Sequence, residues 1–213
     1  MMLRLINFST YVAVAGLPIW AGGGIAILLE PRVQTLALIC LAWAFVEASL
    51  KPEQFARRWF DVAWFAIAML GVASGIAIAV YEYKFLAGVF PREIWFSALG
   101  VGIATLGLVI RFAAIRTLGK FFSYELKVVS GQRIVQEGLY KYLRHPSYTG
   151  FGLILIGLPL ILNSWLGFIA ILSLVGVGFS IRILWEETVL VQHFGAEYRD
   201  YQKKTKRLIP FVW

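Results

Sequence analysis

The side chains best suited to chemistry lie in two places in the second half of the chain. The first is a polar, aromatic and basic block at 138–150, set between two strongly apolar regions and containing Arg144-His145-Pro146. Pro146 suits the first turn of a helix, because its missing N–H costs nothing there. The N–H groups at such a helix end favour an anion, and nearby tyrosine rings can contact a cation or stack on an aromatic ring. The block is therefore a candidate ligand-binding segment.

The second place is Arg182 with the acidic pair Glu186-Glu187. Arginine can hold a carboxylate through two parallel N–H bonds. Arg182 and Glu186 are four residues apart on one helix face, so an ion pair within the helix is the simplest alternative. Glu187 points aside from that face, and an acidic pair at the end of an apolar segment is also a common solvated terminus. The residues by themselves leave these readings open.

The elements that must position these residues are membrane helices. Of the 213 residues, 60% are hydrophobic, and the mean hydropathy is +0.75. A soluble domain of this length has fewer apolar and more charged residues. The composition predicts an all-α integral membrane protein of about six hydrophobic segments.

Apolar runs long enough for a bilayer core, about 20 residues, define these segments. Four predicted spans cover 12–29, 33–50, 62–80 and 94–110. A further pair at 148–162 and 165–184 is separated only by Asn163-Ser164, which predicts a tight helical hairpin. The first span is too long for a signal-peptide core and lacks a convincing cleavage site, so we expect it to be retained.

The chain reads as one domain with two functional halves. Residues 1–110 predict a transmembrane scaffold of about four helices, and residues 111–213 contain the candidate ligand-binding residues. Within that region, residues 111–147 predict short turns or strands rather than a long helix. The tail from 195 to 207 predicts an amphipathic helix.

The positive charge follows the membrane topology rather than a nucleic-acid surface. The net charge is +8, and with a cytoplasmic N-terminus all but three of the 20 Lys and Arg residues fall on the cytoplasmic side. The three exceptions are Arg32, Lys84 and Arg92. This bias agrees with the positive-inside rule. It predicts cytoplasmic N- and C-termini, contact with membrane lipid and no nucleic-acid partner.

The ordered series of motifs resembles the isoprenylcysteine carboxyl methyltransferase family, within the membrane methyltransferases that also include phospholipid N-methyltransferases. The series comprises the block at 138–150, Arg182, Glu186-Glu187, the segment 194–201 and Leu208-Ile209-Pro210-Phe211. The resemblance covers roughly residues 117–213. The chain departs from the animal enzymes at Leu184-Trp185, where they carry further acidic residues, and this departure weakens the case for Glu186.

The resemblance implies which residues serve the reaction. It implies that residues 111–213 are a methyltransferase catalytic region with a cytoplasmic cofactor-binding region. It also implies S-adenosylmethionine as methyl donor, and catalytic roles for Arg182 and Glu187. The implied cofactor-binding residues are Tyr140, His145, Tyr148, Tyr198, Tyr201 and Pro210. It further implies a lipophilic acceptor at the cytoplasmic membrane face, most simply the carboxylate of a prenylcysteine-like substrate.

Other functions compete with this prediction. A related enzyme would methylate a phospholipid amine or a small thiol, and a non-catalytic protein would use the same polar patch to bind lipid. No metal is predicted, because His145 and His193 are the only histidines and neither has ligand spacing. The lack of long targeting segments favours a prokaryotic inner or cell membrane, and the oligomeric state is not readable. Glu47, the one carboxylate within the second span, predicts an interfacial group that reaches water or Lys51.

Overall fold

The computed structural model describes residues 16, 25–49, 59–86, 93–129 and 131–209. Six α-helices occupy these ranges. They are α1 (Pro31–Ala48), α2 (Trp59–Phe85), α3 (Ile94–Leu118), α4 (Pro146–Ile161), α5 (Trp165–Phe194) and α6 (Ala196–Lys204). Short 3-10 turns cover Ile25–Leu29, Gly119–Phe121 and Gly138–Lys141. Among the described residues the only β-type pairing is an isolated parallel bridge between Leu143 and Lys206.

Four of these helices are long and apolar enough to cross a membrane, namely α1, α2, α3 with the turn that follows it, and α5. The shorter α4 has 16 residues and is about 24 Å long at 1.5 Å per residue. That is less than the roughly 30 Å of a bilayer's hydrocarbon core. The all-α membrane fold is thus confirmed. The predicted span 12–29 lies mostly outside the described residues, which include only its last turn and Gly16.

Two helices run further than the predicted spans. Helix α3 continues past 110 to Leu118, so the prediction of short turns or strands over 111–147 was wrong for 111–118. The described residues from 119 to 145 form no α-helix, as predicted. Helix α5 continues past 184 to Phe194. In both cases the charged residues that suggested a helix end, Arg111 and Glu187, are buried against partners from other elements. A charge with such a partner does not need water, so the helix can continue.

The hairpin between α4 and α5 is confirmed. Asn163 takes a positive φ of 55°, and the Ser164 side chain accepts a hydrogen bond from the Gly167 amide at 2.9 Å. Glu82 of α2 reaches the same end of α5 and accepts from the Trp165 and Leu166 amides at 3.0 and 2.9 Å. These bonds satisfy donors that a helix N-terminus leaves open.

Helices α3 and α4 cross with almost no side chain between them. A Cβ atom on Gly150 would come within 2.5 Å of the Arg111 amide nitrogen, and one on Gly107 within 2.6 Å of the Gly150 carbonyl. Gly100 and Gly157 form a second such contact nearer the hairpin. Small residues allow this close approach between membrane helices. The crossing fixes α4, and therefore the block that precedes it, against α3.

The main core lies between α1, α2, α4 and α5. Its largest fully buried side chains are Trp43, Leu36, Ile76, Ile154, Leu155, Leu158, Ile161, Leu162 and Ile171. Many other large apolar side chains on α2 and α5 are exposed on the outer surface. An apolar outer surface on long apolar helices is what lipid contact requires.

Candidate active site

A single cavity of about 250 Å³ brings most of the predicted site residues together. Its lining includes the predicted residues Tyr140, His145, Tyr148, Arg182, Tyr198 and Tyr201. Glu186 lines it too, whereas Glu187 is not among the lining residues. Pro210 lies outside the described residues. Most of the site residues that the resemblance implies therefore lie around this one cavity.

The cavity has two chemically different ends. Polar and aromatic groups come from the 138–148 block, α5 and α6. Apolar side chains come from α2, α4 and α5, and include Met69, Val72, Phe151, Leu155, Leu174 and Val175. Arg111 and Arg182 also line the cavity and are both almost fully buried. Such a space suits a ligand pair of which one part is polar and the other is lipid-like.

The chain's C-terminal tail is docked on the 138–148 block. The Arg144 and His145 amides donate to the Lys206 and Arg207 carbonyls at 2.7 and 3.1 Å. Gly195, at a φ of 58°, makes the sharp turn from α5 into α6. This turn brings Tyr201 to the block, where its hydroxyl donates to the Tyr140 carbonyl at 2.7 Å. The tail thus forms one wall of the cavity.

The tyrosines at the polar end remain neutral phenols over the physiological range. Burial raises the pKa of Tyr198 and of Tyr201 above the ordinary value of 10.0, and the carboxylate of Glu187 adds to the effect at Tyr198. Burial also raises the pKa of Tyr140, and the carboxylate of Glu186 adds to it. A neutral ring can face a cation or an aromatic group without introducing a charge.

Glu187 joins the block to the tail. Its carboxylate accepts from Arg144 Nε at 2.6 Å and from Arg207 Nε at 3.1 Å, and it lies 3.3 Å from His145 Nε2. Gln202 Nε2 of α6 donates to it at 3.3 Å. With only 4% of its surface exposed, this carboxylate is a buried anion compensated by two arginines.

Glu186 has a different environment. Its carboxylate accepts from the Tyr148 hydroxyl at 2.9 Å and lies 3.8 Å from His145 Nδ1. Its side chain is 33% exposed. Of the two adjacent glutamates, Glu186 is therefore the one that faces the cavity. His145 lies between them.

Arg182 is held by residues outside its own helix. Its Nη1 pairs with Asp61 of α2 at 2.9 Å, and its Nη2 donates to the Tyr124 carbonyl. The alternative of an ion pair with Glu186 along α5 does not describe these contacts. Sequence reasoning missed Asp61, because nothing in the sequence relates the start of one span to the middle of another.

A second buried arginine was also missed. Arg111 pairs with Glu47 of α1 through Nε at 2.9 Å and Nη2 at 3.2 Å, and donates to the Ser147 hydroxyl at 2.5 Å. The Tyr124 hydroxyl joins this pair. The interpretation of Glu47 as an interfacial group was wrong, since it is 1% exposed. A carboxylate within an apolar span was the available signal.

Comparison with known proteins identifies the family. The family model described as "Isoprenylcysteine carboxyl methyltransferase (ICMT) family" matches residues 100–192. The chain is 34% identical over 153 residues to protein-S-isoprenylcysteine O-methyltransferase B of Arabidopsis thaliana, covering 70% of this chain and 74% of the relative. The chain belongs to the isoprenylcysteine carboxyl methyltransferase family. Protein-S-isoprenylcysteine O-methyltransferase of Tribolium castaneum is 30% identical to this family member over 210 residues, covering 94% of this chain and 74% of the relative.

The fold of this family member also matches a solved structure. That structure is described as the eukaryotic intramembrane Ras methyltransferase ICMT, with a TM-score of 0.58 and 25% identity. The match covers 99% of this chain and 86% of the other. The described residues among the first hundred, which carry no family motif, therefore belong to the same fold, and the protein is a multi-pass membrane protein.

The family match includes most of the predicted site. Residues 100–192 contain Tyr140, His145, Tyr148, Arg182 and Glu187, and exclude the tail tyrosines. The relatives named above come from a plant and an insect. Such eukaryotic sources speak against the predicted prokaryotic membrane.

Proposed function

We propose that this protein transfers a methyl group from S-adenosylmethionine to the carboxylate of a prenylcysteine-like acceptor at the cytoplasmic membrane face. The observation that carries the proposal is the cavity with one polar, aromatic end and one apolar end, lined also by the two buried arginines Arg111 and Arg182. Family membership and the names of the relatives support the same reaction.

The polar end has side chains whose chemistry suits the cofactor. S-adenosylmethionine supplies a methyl group on a positively charged sulfur, together with an adenine ring and an amino-acid head. Neutral tyrosine faces suit a cation and an aromatic base. The residues that would hold it are Tyr140, His145, Tyr148, Tyr198 and Tyr201, and Pro210 remains a predicted member of this set.

Arg182 is the proposed partner of the acceptor carboxylate. An ionised carboxylate is already a nucleophile at neutral pH, so methyl esterification requires no general base. Catalysis would come from alignment of the carboxylate and from exclusion of water in a cavity whose deeper walls are apolar. Arg182, buried and oriented by Asp61, can provide the two parallel N–H bonds that fix the orientation of a carboxylate.

Glu187 stays a predicted functional residue, and its contacts suggest how it acts. It holds Arg144, His145 and Arg207, and so connects the block to the tail. We therefore assign it the positioning of the cofactor end rather than contact with the acceptor. The apolar part of the acceptor would occupy the end lined by Leu155, Leu174 and Val175.

The test is transfer of radiolabelled methyl by the purified protein in detergent or lipid nanodiscs. A prenylcysteine, phosphatidylethanolamine and a small thiol are offered in parallel, and we expect base-labile label on the prenylcysteine. Arg182→Ala should abolish turnover, whereas Glu187→Ala, His145→Ala and Tyr148→Phe should mainly weaken cofactor binding. Full activity in Arg182→Ala would contradict the assignment of that residue.

One observation supports a lipid amine as a second candidate acceptor. Glu186 faces the cavity and accepts a hydrogen bond from Tyr148, so it could take a proton from an ammonium group. Base-stable label on phosphatidylethanolamine would replace the carboxylate acceptor and make Glu186 the general base. A protein that binds no cofactor and methylates no acceptor would instead support the non-catalytic alternative, in which the polar patch binds lipid.

A further inference from the structure

Asp61 lies in the first turn of α2, far in sequence from the motifs of the site. It is 2% exposed. Its carboxylate accepts from Arg182 Nη1 at 2.9 Å and from the Leu126 amide at 3.3 Å. Burying a carboxylate away from water costs free energy unless its charge is paired. Here Arg182 supplies the opposite charge, and the Leu126 amide supplies a further hydrogen bond. The residue falls outside the 100–192 family match.

The contacts of Arg182 show why its orientation depends on Asp61. Its two terminal nitrogens are directed to Asp61 and to the Tyr124 carbonyl, which belong to α2 and to the segment after α3. Arginine side chains have several rotatable bonds, and a buried one adopts a single geometry only when its donors are engaged. Without the Asp61 charge, only neutral partners, the Tyr124 carbonyl and the Tyr148 hydroxyl, would remain to orient it.

Asp61 also forms part of the cavity wall. Asp61, Leu126 and Val189 line both the main cavity and a neighbouring cleft beside Phe60 and Trp185. The bond from the Leu126 amide to Asp61 fixes the segment between these two spaces. Loss of the carboxylate would therefore release two neighbours, of which Arg182 is the one that the reaction uses.

We propose that Asp61 is a positioning residue for the acceptor carboxylate, acting through Arg182. The proposal rests on the proposed function of Arg182 and adds a residue from the scaffold half to the site. Asp61 fixes the direction in which the guanidinium presents its remaining N–H groups to the cavity. It is not expected to bind the cofactor, whose predicted residues lie on the block and the tail.

The same pair of helices contains a matched control. Glu82, at the other end of α2, is 3% exposed and bonds the start of α5 through Ser164 and the Trp165 and Leu166 amides. None of these four residues lines the cavity. Asp61→Asn and Glu82→Gln therefore each remove one buried charge between the same two helices. Only Asp61→Asn changes the surroundings of Arg182.

The experiment measures methyl transfer to a prenylcysteine, cofactor affinity and thermal stability for Asp61→Asn, Glu82→Gln, Arg182→Lys and the double variant Asp61→Asn/Arg182→Lys. We expect Asp61→Asn to lower kcat/KM for the acceptor by about 100-fold, the size associated with a small misplacement. Cofactor affinity should be unchanged. Glu82→Gln should keep the wild-type rate per folded molecule even though it lowers the melting temperature.

The double variant tests whether Asp61 acts through Arg182. If it does, Asp61→Asn should reduce the rate of the Arg182→Lys protein only slightly, because coupled residues are not additive. Independent, multiplying losses would overturn the proposal, as would equal losses in Asp61→Asn and Glu82→Gln. Should Asp61→Asn fail to fold, Asp61→Glu keeps the charge but moves it by one methylene. A folded Asp61→Glu with the wild-type kcat/KM would also overturn the proposal.

Methyl transfer by the wild-type protein distinguishes failure of this proposal from failure of the proposed function on which it rests. If the wild-type protein labels no carboxylate acceptor, the proposed function fails and the proposal with it. If the wild type forms the base-labile ester and Asp61→Asn forms it at the same rate, only the role of Asp61 is refuted.

Discussion

At the scale of single residues, Glu186 and Glu187 differ more in their surroundings than their adjacency suggests. Glu187 compensates Arg144 and Arg207, whereas Glu186 lines the cavity. Removing one partner of a buried ion pair leaves the other charge uncompensated. The two glutamates should therefore respond differently to the same amide substitution.

We predict that Glu187→Gln lowers the free energy of unfolding by about 3–5 kcal/mol. Glu186→Gln should cost about 1 kcal/mol, the value of one hydrogen bond. Thermal melts of both variants in the same detergent provide the comparison. Equal melting temperatures would contradict the environments described for the two carboxylates.

At the scale of elements, the crossing of α3 and α4 determines where the block lies. We predict that Gly150→Ala destabilises the protein by about 1–3 kcal/mol, because the new Cβ would meet the Arg111 backbone at 2.5 Å. It should also reduce methyl transfer, since Arg111 and Ser147 lie at this crossing.

Gly102→Ala on α3 is the matched control. Within the described part of the chain no atom lies within 4 Å of its added Cβ. Alanine in an exposed helix position should stabilise the protein by about 0.5–1 kcal/mol. The stability and activity of Gly150→Ala and Gly102→Ala are measured side by side. Equal effects of the two substitutions would contradict the close crossing of α3 and α4.

The tail is a second element that the site requires. We predict that truncation after Lys204 abolishes cofactor binding, because Lys206 and Arg207 hold the Arg144 and His145 amides and Arg207 also pairs with Glu187. None of the tail residues that the structure describes belongs to the main core between α1, α2, α4 and α5, so the truncated protein should stay folded. Isothermal titration with S-adenosylmethionine and a thermal melt check the two parts. Undiminished cofactor affinity would show that the residues after Lys204 are not needed to hold the 138–148 block in its binding position.

At the scale of the whole molecule, the charge distribution predicts cytoplasmic termini. Lys203 and Lys84 are both exposed, and the predicted topology places them on opposite sides of the membrane. The single native cysteine, Cys40, is buried, and burial protects it from reagents. We predict that an impermeant thiol reagent modifies Lys203→Cys in membrane vesicles whose cytoplasmic face is outward, and Lys84→Cys only in vesicles of the opposite orientation. The reverse pattern would invert the assigned topology.

The sequence by itself determined the membrane class and the hairpin at Asn163-Ser164, and through the family resemblance it predicted the set of tyrosines with His145 and Arg182. These features depend on local composition or on a motif order that one chain displays directly. Tertiary structure alone decided that Arg111 pairs with Glu47 and Arg182 with Asp61. It also decided which of two adjacent glutamates faces the cavity. The physical reason is that a buried charge takes its partner from whichever helix packs beside it, and packing between distant segments leaves no periodic pattern in the sequence.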